Sequence, residues 1–209
     1  MGWVCSHRFQ RGSDAGQACH LGPVLGDGLC VWHSEEDDKP FPADARAFLE
    51  ARVAAGGSLE EFVLSNLDLC RASLSGAILV GAMLDGVDLA LADLKRAELE
   101  RANLSNAFLF GADLSAAELP RAFLLGADCS EAELFGANLE GVEAFDADFR
   151  RANLSLANLA GADLSQAILT GANVRGATLA GAKLLGTNLR EVAIGDLSAQ
   201  NVDLTHAIR

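Results

Sequence analysis

The stretch Ala102-Asn103-Leu104-Ser105-Asn106-Ala107-Phe108-Leu109-Phe110-Gly111-Ala112-Asp113-Leu114-Ser115-Ala116 keeps time in fives. A small residue opens each unit, Leu stands two places later, and the next unit follows without a gap. The rhythm runs outward in both directions, from Phe62 to the end of the chain, with no insertion. Between positions 64 and 204, 29 positions share the register of Leu104, and 23 of them are Leu. The exceptions are Cys129, Ala144, Phe149, Val174, Ile194 and Ala199. Two places before each stands Ala or another small or apolar residue, as at Ala72, Ala77, Ala82, Val87 and Ala92.

A period of five matches neither helix nor sheet. Five residues advance an α-helix by about 500°, so an apolar stripe would swing round by about 140° per repeat and break up. A flat sheet needs alternation in twos. The pattern predicts a solenoid in which two side chains of each pentapeptide point in and three point out, with coils joined by backbone hydrogen bonds. Gly two places after the Leu, as at Gly76, Gly81, Gly86, Gly111 and Gly126, suits the corners, where a Cβ is a hindrance.

The units Ala102-Asn103-Leu104-Ser105-Asn106, Ala112-Asp113-Leu114-Ser115-Ala116 and Ala162-Asp163-Leu164-Ser165-Gln166 resemble the pentapeptide repeat family. The likeness covers about 145 of 209 residues. It implies an all-β solenoid, a right-handed quadrilateral β-helix with four pentapeptides per coil. Twenty-nine units then make about seven coils, roughly 34 Å of stacking at the spacing of paired strands. Each coil touches only its neighbours, so both ends need covering.

Composition narrows the function. The net charge of −13 disfavours direct contact with nucleic acid. No apolar run is long enough for a membrane span, and the N-terminus lacks the pattern of a secretory signal, so a cytoplasmic location is expected. No Ser-His-Asp set, phosphate-cradling loop or paired carboxylates in a cleft can be found, and an interior filled by Ala and Leu leaves no pocket. The expectation is a protein that is not an enzyme.

Residues 1–41 fall outside the register and carry Cys5, His7, Cys19, His20, Cys30 and His33. Cys5, Cys19, Cys30 and His33 read as a tetrahedral structural zinc site, with His7 or His20 as substitute ligands. A segment this short, with few large apolar residues, needs such a metal to fold. The alternative is free thiols in a loose arm. Residues 42–61 read as a helical cap: Pro42 precedes a helix over 43–55, Gly56-Gly57 stops it, and Ser58 to Glu61 resembles a capping box for a further short turn. The β-helix is expected over 62–209.

The outer surface is acidic but uneven. Residues 85–148 hold 14 acids against four bases, a balance of −10, whereas residues 149–203 balance to +1. Acids recur every twenty residues: Asp68, Asp88, Asp128 and Asp148 on one face, Asp93, Asp113 and Glu133 on the next, Glu98, Glu100, Glu118 and Glu140 on a third. The remaining face carries Met83, Phe123, Leu125, Phe145 and Leu185, with Phe108 and Phe110 around a corner. The candidate partner-binding set is Asp88, Asp93, Glu98, Asp113, Glu118, Asp128, Glu133 and Asp148 with Phe123, Leu125 and Phe145. The sequence also resembles the Qnr-type and MfpA-type branch of the family. That resemblance implies an acidic, DNA-mimicking rod that engages a type II topoisomerase, DNA gyrase or topoisomerase IV, and protects it from a toxin or antibiotic. An extra cysteine-rich head and a nearly neutral C-terminal half depart from that pattern. The other reading is a protein–protein scaffold recruited through the aromatic face or the head. The run Asn201 to Arg209 shows no capping helix, which predicts a homodimer through the last one or two coils.

Overall fold

The computed structural model describes residues 32–34, 41–193 and 203–208. Its logic is set by one pentapeptide's five N–H groups. Take residues 102–106. Ala102 N–H donates to Leu99 O at 3.0 Å and closes a tight turn. Asn103 N–H donates back to Ala82 O at 2.9 Å, while Leu104 and Asn106 donate forward to Phe123 O at 2.7 Å and Leu125 O at 2.8 Å. The fifth, Ser105 N–H, is taken by the Asn103 side-chain Oδ1 at 3.1 Å. No donor is left over, as a compact backbone requires.

Those rungs bring each residue against the one twenty places on, and parallel bridges run from Val63↔Met83 to Asn188↔Ile208. Four pentapeptides therefore make one coil, and the coil has four faces. Face one is the column Asp68, Asp88, Phe108, Asp128, Asp148, Ile168 and Asn188. Face two runs Ser73, Asp93, Asp113, Glu133, Asn153 and Asn173; face three runs Ile78, Glu98, Glu118, Asn138, Asn158 and Thr178. Face four runs Val63, Met83, Asn103, Phe123, Glu143, Asp163 and Lys183. Faces one and three are opposite sides of the square, as are two and four.

The two-in rule holds along the middle coils and loosens toward the ends, where Leu67, Ala182, Leu204 and Ala207 are only partly buried. Ala102, Leu104, Ala107, Leu109, Ala112 and Leu114 are all at most 1% exposed and belong to one continuous core. Every corner passes through a residue of positive φ, from Glu61 at 56° to Glu191 at 61°. Gly supplies many of these corners, but Arg101, Asn106, Ala116 and Leu156 adopt the same left-handed backbone. Each such non-glycine residue costs about 1 kcal/mol, a strain that the flanking rung hydrogen bonds and the buried Leu outweigh.

The helix, α1 (Ala45–Ala54), is slightly shorter than the expected 43–55. Its Leu49 and Ala45 are buried against the first coil. Trp32 stacks on Phe48 and Phe62, with ring centroids 4.7 and 5.7 Å away. Polar groups of α1 take over what a preceding coil would have bonded. Arg46 donates to Cys70 O at 2.7 Å and Glu50 accepts from Ser73 N–H at 2.9 Å, and Arg46 also donates to Arg71 O at 2.8 Å. The expected short helical turn at Ser58 to Glu61 is instead the first solenoid corner. Ser58 Oγ accepts from Glu60 N–H, but Leu59 and Glu61 donate forward to Ile78 O and Val80 O. The ladder thus starts at Leu59, three residues before the expected 62, because the register of five outweighs the capping-box pattern.

Candidate partner-binding faces

The Asp or Asn before each Leu has a structural duty. Its Oδ1 accepts the corner N–H two residues on, at 2.9 Å in Asp88, 3.1 Å in Asp113, 3.0 Å in Asp128 and 2.9 Å in Asp148. Asn103, Asn138, Asn153, Asn158, Asn173 and Asn188 make the same bond. The fold asks for the acceptor oxygen, not for the charge. Glu is too long for this bond. Glu118 and Glu133 instead accept from Asn138 and Asn153 one rung on, both at 2.8 Å.

The bases do not fall evenly on the acids. Lys95 bridges Asp113 at 2.8 Å and Asp93 at 3.6 Å across face two. Partial burial tends to raise Asp113, but hydrogen bonds from Lys95 and Ser115 outweigh it and hold the carboxyl below its usual range. The same bond to Asp113 raises Lys95. Arg150 meets Asp148 at 2.5 Å, and Lys183 meets Asp163 at 2.9 Å. Among the described residues, no ion pair joins Asp88, Asp128, Glu118 or Glu133 to a base.

The apolar set gathers at one edge. Phe123 lies on face four, while Leu125 and Phe145 stack at the corner between faces four and one, linked by Gly126 N–H to Phe145 O at 3.0 Å. Phe108 stands on face one between Asp88 and Asp128. Phe108, Phe123, Leu125 and Phe145 are 54%, 37%, 39% and 50% exposed. The structure therefore joins Phe123, Leu125 and Phe145 to Asp88, Asp128 and Asp148. It sets Asp93, Asp113 and Glu133 on the side opposite Phe123, and Glu98 and Glu118 on the side opposite Asp88. One flat partner surface cannot touch the whole expected set. Leu91, Phe135 and Leu156 are also exposed, at other corners. They belong to the register position after the Leu or the one beyond it, which marks corners and could have flagged them.

Of the expected zinc ligands, Cys5, Cys19 and Cys30, and the substitutes His7 and His20, lie outside the described residues. His33 is buried, its ring edge-on to Phe62 with centroids 4.8 Å apart. Among the described residues no cluster of His, Cys, Asp or Glu is placed to hold a metal. None of the described helices is long and apolar enough to cross a membrane.

A packed four-sided tube whose chemistry lies on its skin defines the class: a β-solenoid with an outer surface for contacts. The chain belongs to the pentapeptide repeat family, which matches in eight copies over residues 58–90, 92–124, 112–155 and 157–192. Members fold as right-handed quadrilateral β-helices. No curated protein matches the chain. Among solved structures it is similar to the pentapeptide repeat protein Rfr23 from the cyanobacterium Cyanothece 51142, at 41% identity and a TM-score of 0.41, over 46% of this chain and 62% of that one. The chain thus spans less than two thirds of that relative. HetL of Nostoc sp. strain PCC 7120, involved in heterocyst differentiation regulation, is 32% identical over 59% of this chain and 74% of its own, with a TM-score of 0.25. QnrB1, a plasmid-mediated fluoroquinolone resistance protein, is 23% identical over 70% of this chain and 87% of its own, with a TM-score of 0.31.

Proposed function

We propose that this protein is a non-enzymatic binding protein whose acidic rod occupies a basic, DNA-binding surface of a partner, with DNA gyrase or topoisomerase IV as the candidate and protection from a toxin or antibiotic as the outcome. One observation carries the reading. Residues 85–148 concentrate a net charge of −10 on about three coils, roughly 15 Å of rod. That is one charge per about 1.5 Å, against about 1.7 Å for duplex DNA. The fold does not require this density, since Asn makes the same corner bond as Asp. The neutral C-terminal half limits the mimicry to a short segment of the rod.

The test is a gyrase supercoiling assay with and without a gyrase poison. Inhibition of supercoiling or relief of poisoning supports the reading, and inertness at micromolar protein removes it. The second reading, a scaffold for an unrelated partner, draws on the exposed Phe108, Phe123, Leu125 and Phe145. We also propose a homodimer through the C-terminal coils, supported by exposed Leu185 and Ile208 there; a monomeric mass in light scattering removes it. Structural zinc in the head, held by Cys5, Cys19, Cys30 and His33, is a further proposal, supported by Trp32 and His33 lying buried against the first coil. One zinc per chain in metal analysis, lost on Cys19→Ser with Cys30→Ser, is the expected result.

A further inference from the structure

We propose that the partner docks along a single edge of the rod, the corner between faces four and one, and that the partner surface is a protein patch with Lys and Arg around an apolar pocket. This rests on the reading of the chain as a binding protein, but not on the identity of the partner.

Charge is segregated around the rod. Between residues 83 and 148, the outward positions of face four, this corner and face one hold six acids: Asp85, Asp88, Asp128, Glu143, Asp146 and Asp148. They hold no Lys or Arg at all. The four bases of residues 85–148, Lys95, Arg96, Arg101 and Arg121, all stand at the two corners that bound face three. Among the described residues, Arg150 reaches in from the corner beyond face one to pair with Asp148 and also attracts Asp128, while Lys183, one rung past Asp163, attracts Glu143. The edge between faces one and two is also free of Lys and Arg over these residues, but there Lys95 reaches across to tie Asp93 and Asp113 together. The edge between faces four and one bears Phe108, Phe123, Leu125 and Phe145, within two rungs of one another and each more than a third exposed.

Aromatic anchors inside a ring of single-signed charge are how interfaces combine affinity with orientation. The apolar groups gain by leaving water, and the excess of negative charge favours cations opposite. An acidic or neutral partner would strand those charges at the contact. A nucleic acid would be repelled outright. A basic protein patch with an apolar pocket satisfies both features.

The test uses the full chain as bait and a phage-displayed random peptide library as the probe, so it does not depend on gyrase. Selected peptides should combine Lys or Arg with aromatic or branched aliphatic residues. They should bind the double variant Phe123→Asp/Phe145→Asp at least about tenfold more weakly than the parent, and more weakly as salt rises. The control Phe135→Asp/Leu156→Asp makes the same kind of change at the diagonally opposite corner, between faces two and three, and should bind like the parent. Phe123 and Phe145 are both more than a third exposed, so their double variant should keep the parent's thermal midpoint, and a circular-dichroism melt matching the parent's shows that it is folded. Peptides that bind both variants equally, that lack basic residues, or that fail to enrich at all would overturn the proposal. Success here with an inert supercoiling assay would remove gyrase as the partner and leave the edge standing.

Discussion

Cys129, Ala144 and Phe149 break the run of interior Leu, and the coil geometry shows that they do so together. Cys129 and Phe149 occupy the same interior column in adjacent rungs, since Asp128 bridges Asp148 beside them. Ala144 is the interior residue of the preceding side of Phe149's own coil. All three are at most 1% exposed. A bulky ring is thus accommodated by two small neighbours, one below and one beside it. Phe149→Leu alone leaves a void, and Ala144→Leu alone overpacks; each should cost about 1–3 kcal/mol in urea unfolding. The double variant should recover most of the loss, a coupling that only contacting residues show. Burial, with Asp128 and Asp148 nearby, pushes the Cys129 thiol far above its usual range, so it should resist thiol reagents in the folded chain. Lys95 and Asp113 make a residue-scale prediction of a different kind. Asp113 is depressed, so its contribution to stability is present above the ordinary carboxylate range and is lost as pH falls through the folded value. Lys95 is raised, so its contribution is present below the ordinary lysine range and disappears as pH climbs through the folded value. Lys95→Met should move the Asp113 titration upward in an NMR carboxyl experiment, and an unmoved curve would contradict the pairing.

At the scale of elements, α1 matters because a solenoid has open ends. Arg46 and Glu50 stand in for a missing rung by bonding Cys70 O and Ser73 N–H, and Arg46 also donates to Arg71 O. Arg46→Ala should cost about 1 kcal/mol, because the bonds are partly exposed to water, and its effect should appear first as faster hydrogen exchange in residues 70–73. Uniform exchange along the rod would argue against an end-specific role. The register of the coils was plain from the sequence because a strict five-residue repeat leaves one arrangement for Leu104 and its equivalents: inward. The corners were half legible. Gly76 and Gly86 advertise a left-handed backbone, but Arg101 and Leu156 adopt it without any local signal, since the rungs on either side impose it. The start of the ladder was misplaced for a related reason. Ser58 to Glu61 carries a local pattern suited to a helix, and only the pairing with Ile78 and Val80, far along the chain, converts it into a corner. Which acids face which aromatics was likewise a matter of rung order: counting in twenties gives the columns, but the acidic edge emerges only when Lys95, Arg96, Arg101 and Arg121 are placed around face three.

For the molecule as a whole, charge and fold can be separated, because Asp and Asn serve the corner equally. Asp88→Asn with Asp128→Asn removes two negative charges from face one and keeps both acceptor oxygens, as the six asparagines in the same position show. The folded state carries stacked like charges, Asp68 over Asp88 and Asp128 over Asp148, whose repulsion weakens when one of each pair is neutralised. The double variant should therefore be as stable as the parent or slightly more so at low salt, and the difference should vanish at high salt, where screening already suppresses the repulsion. If the rod acts on gyrase as proposed, the double variant's effect on supercoiling should be smaller than the parent's and should depend less on salt. A variant that unfolds would show that the charge, not the acceptor, holds the corner. A stable variant with undiminished activity would mean that the acidic skin is only a solvated surface, and the case for mimicry would go with it.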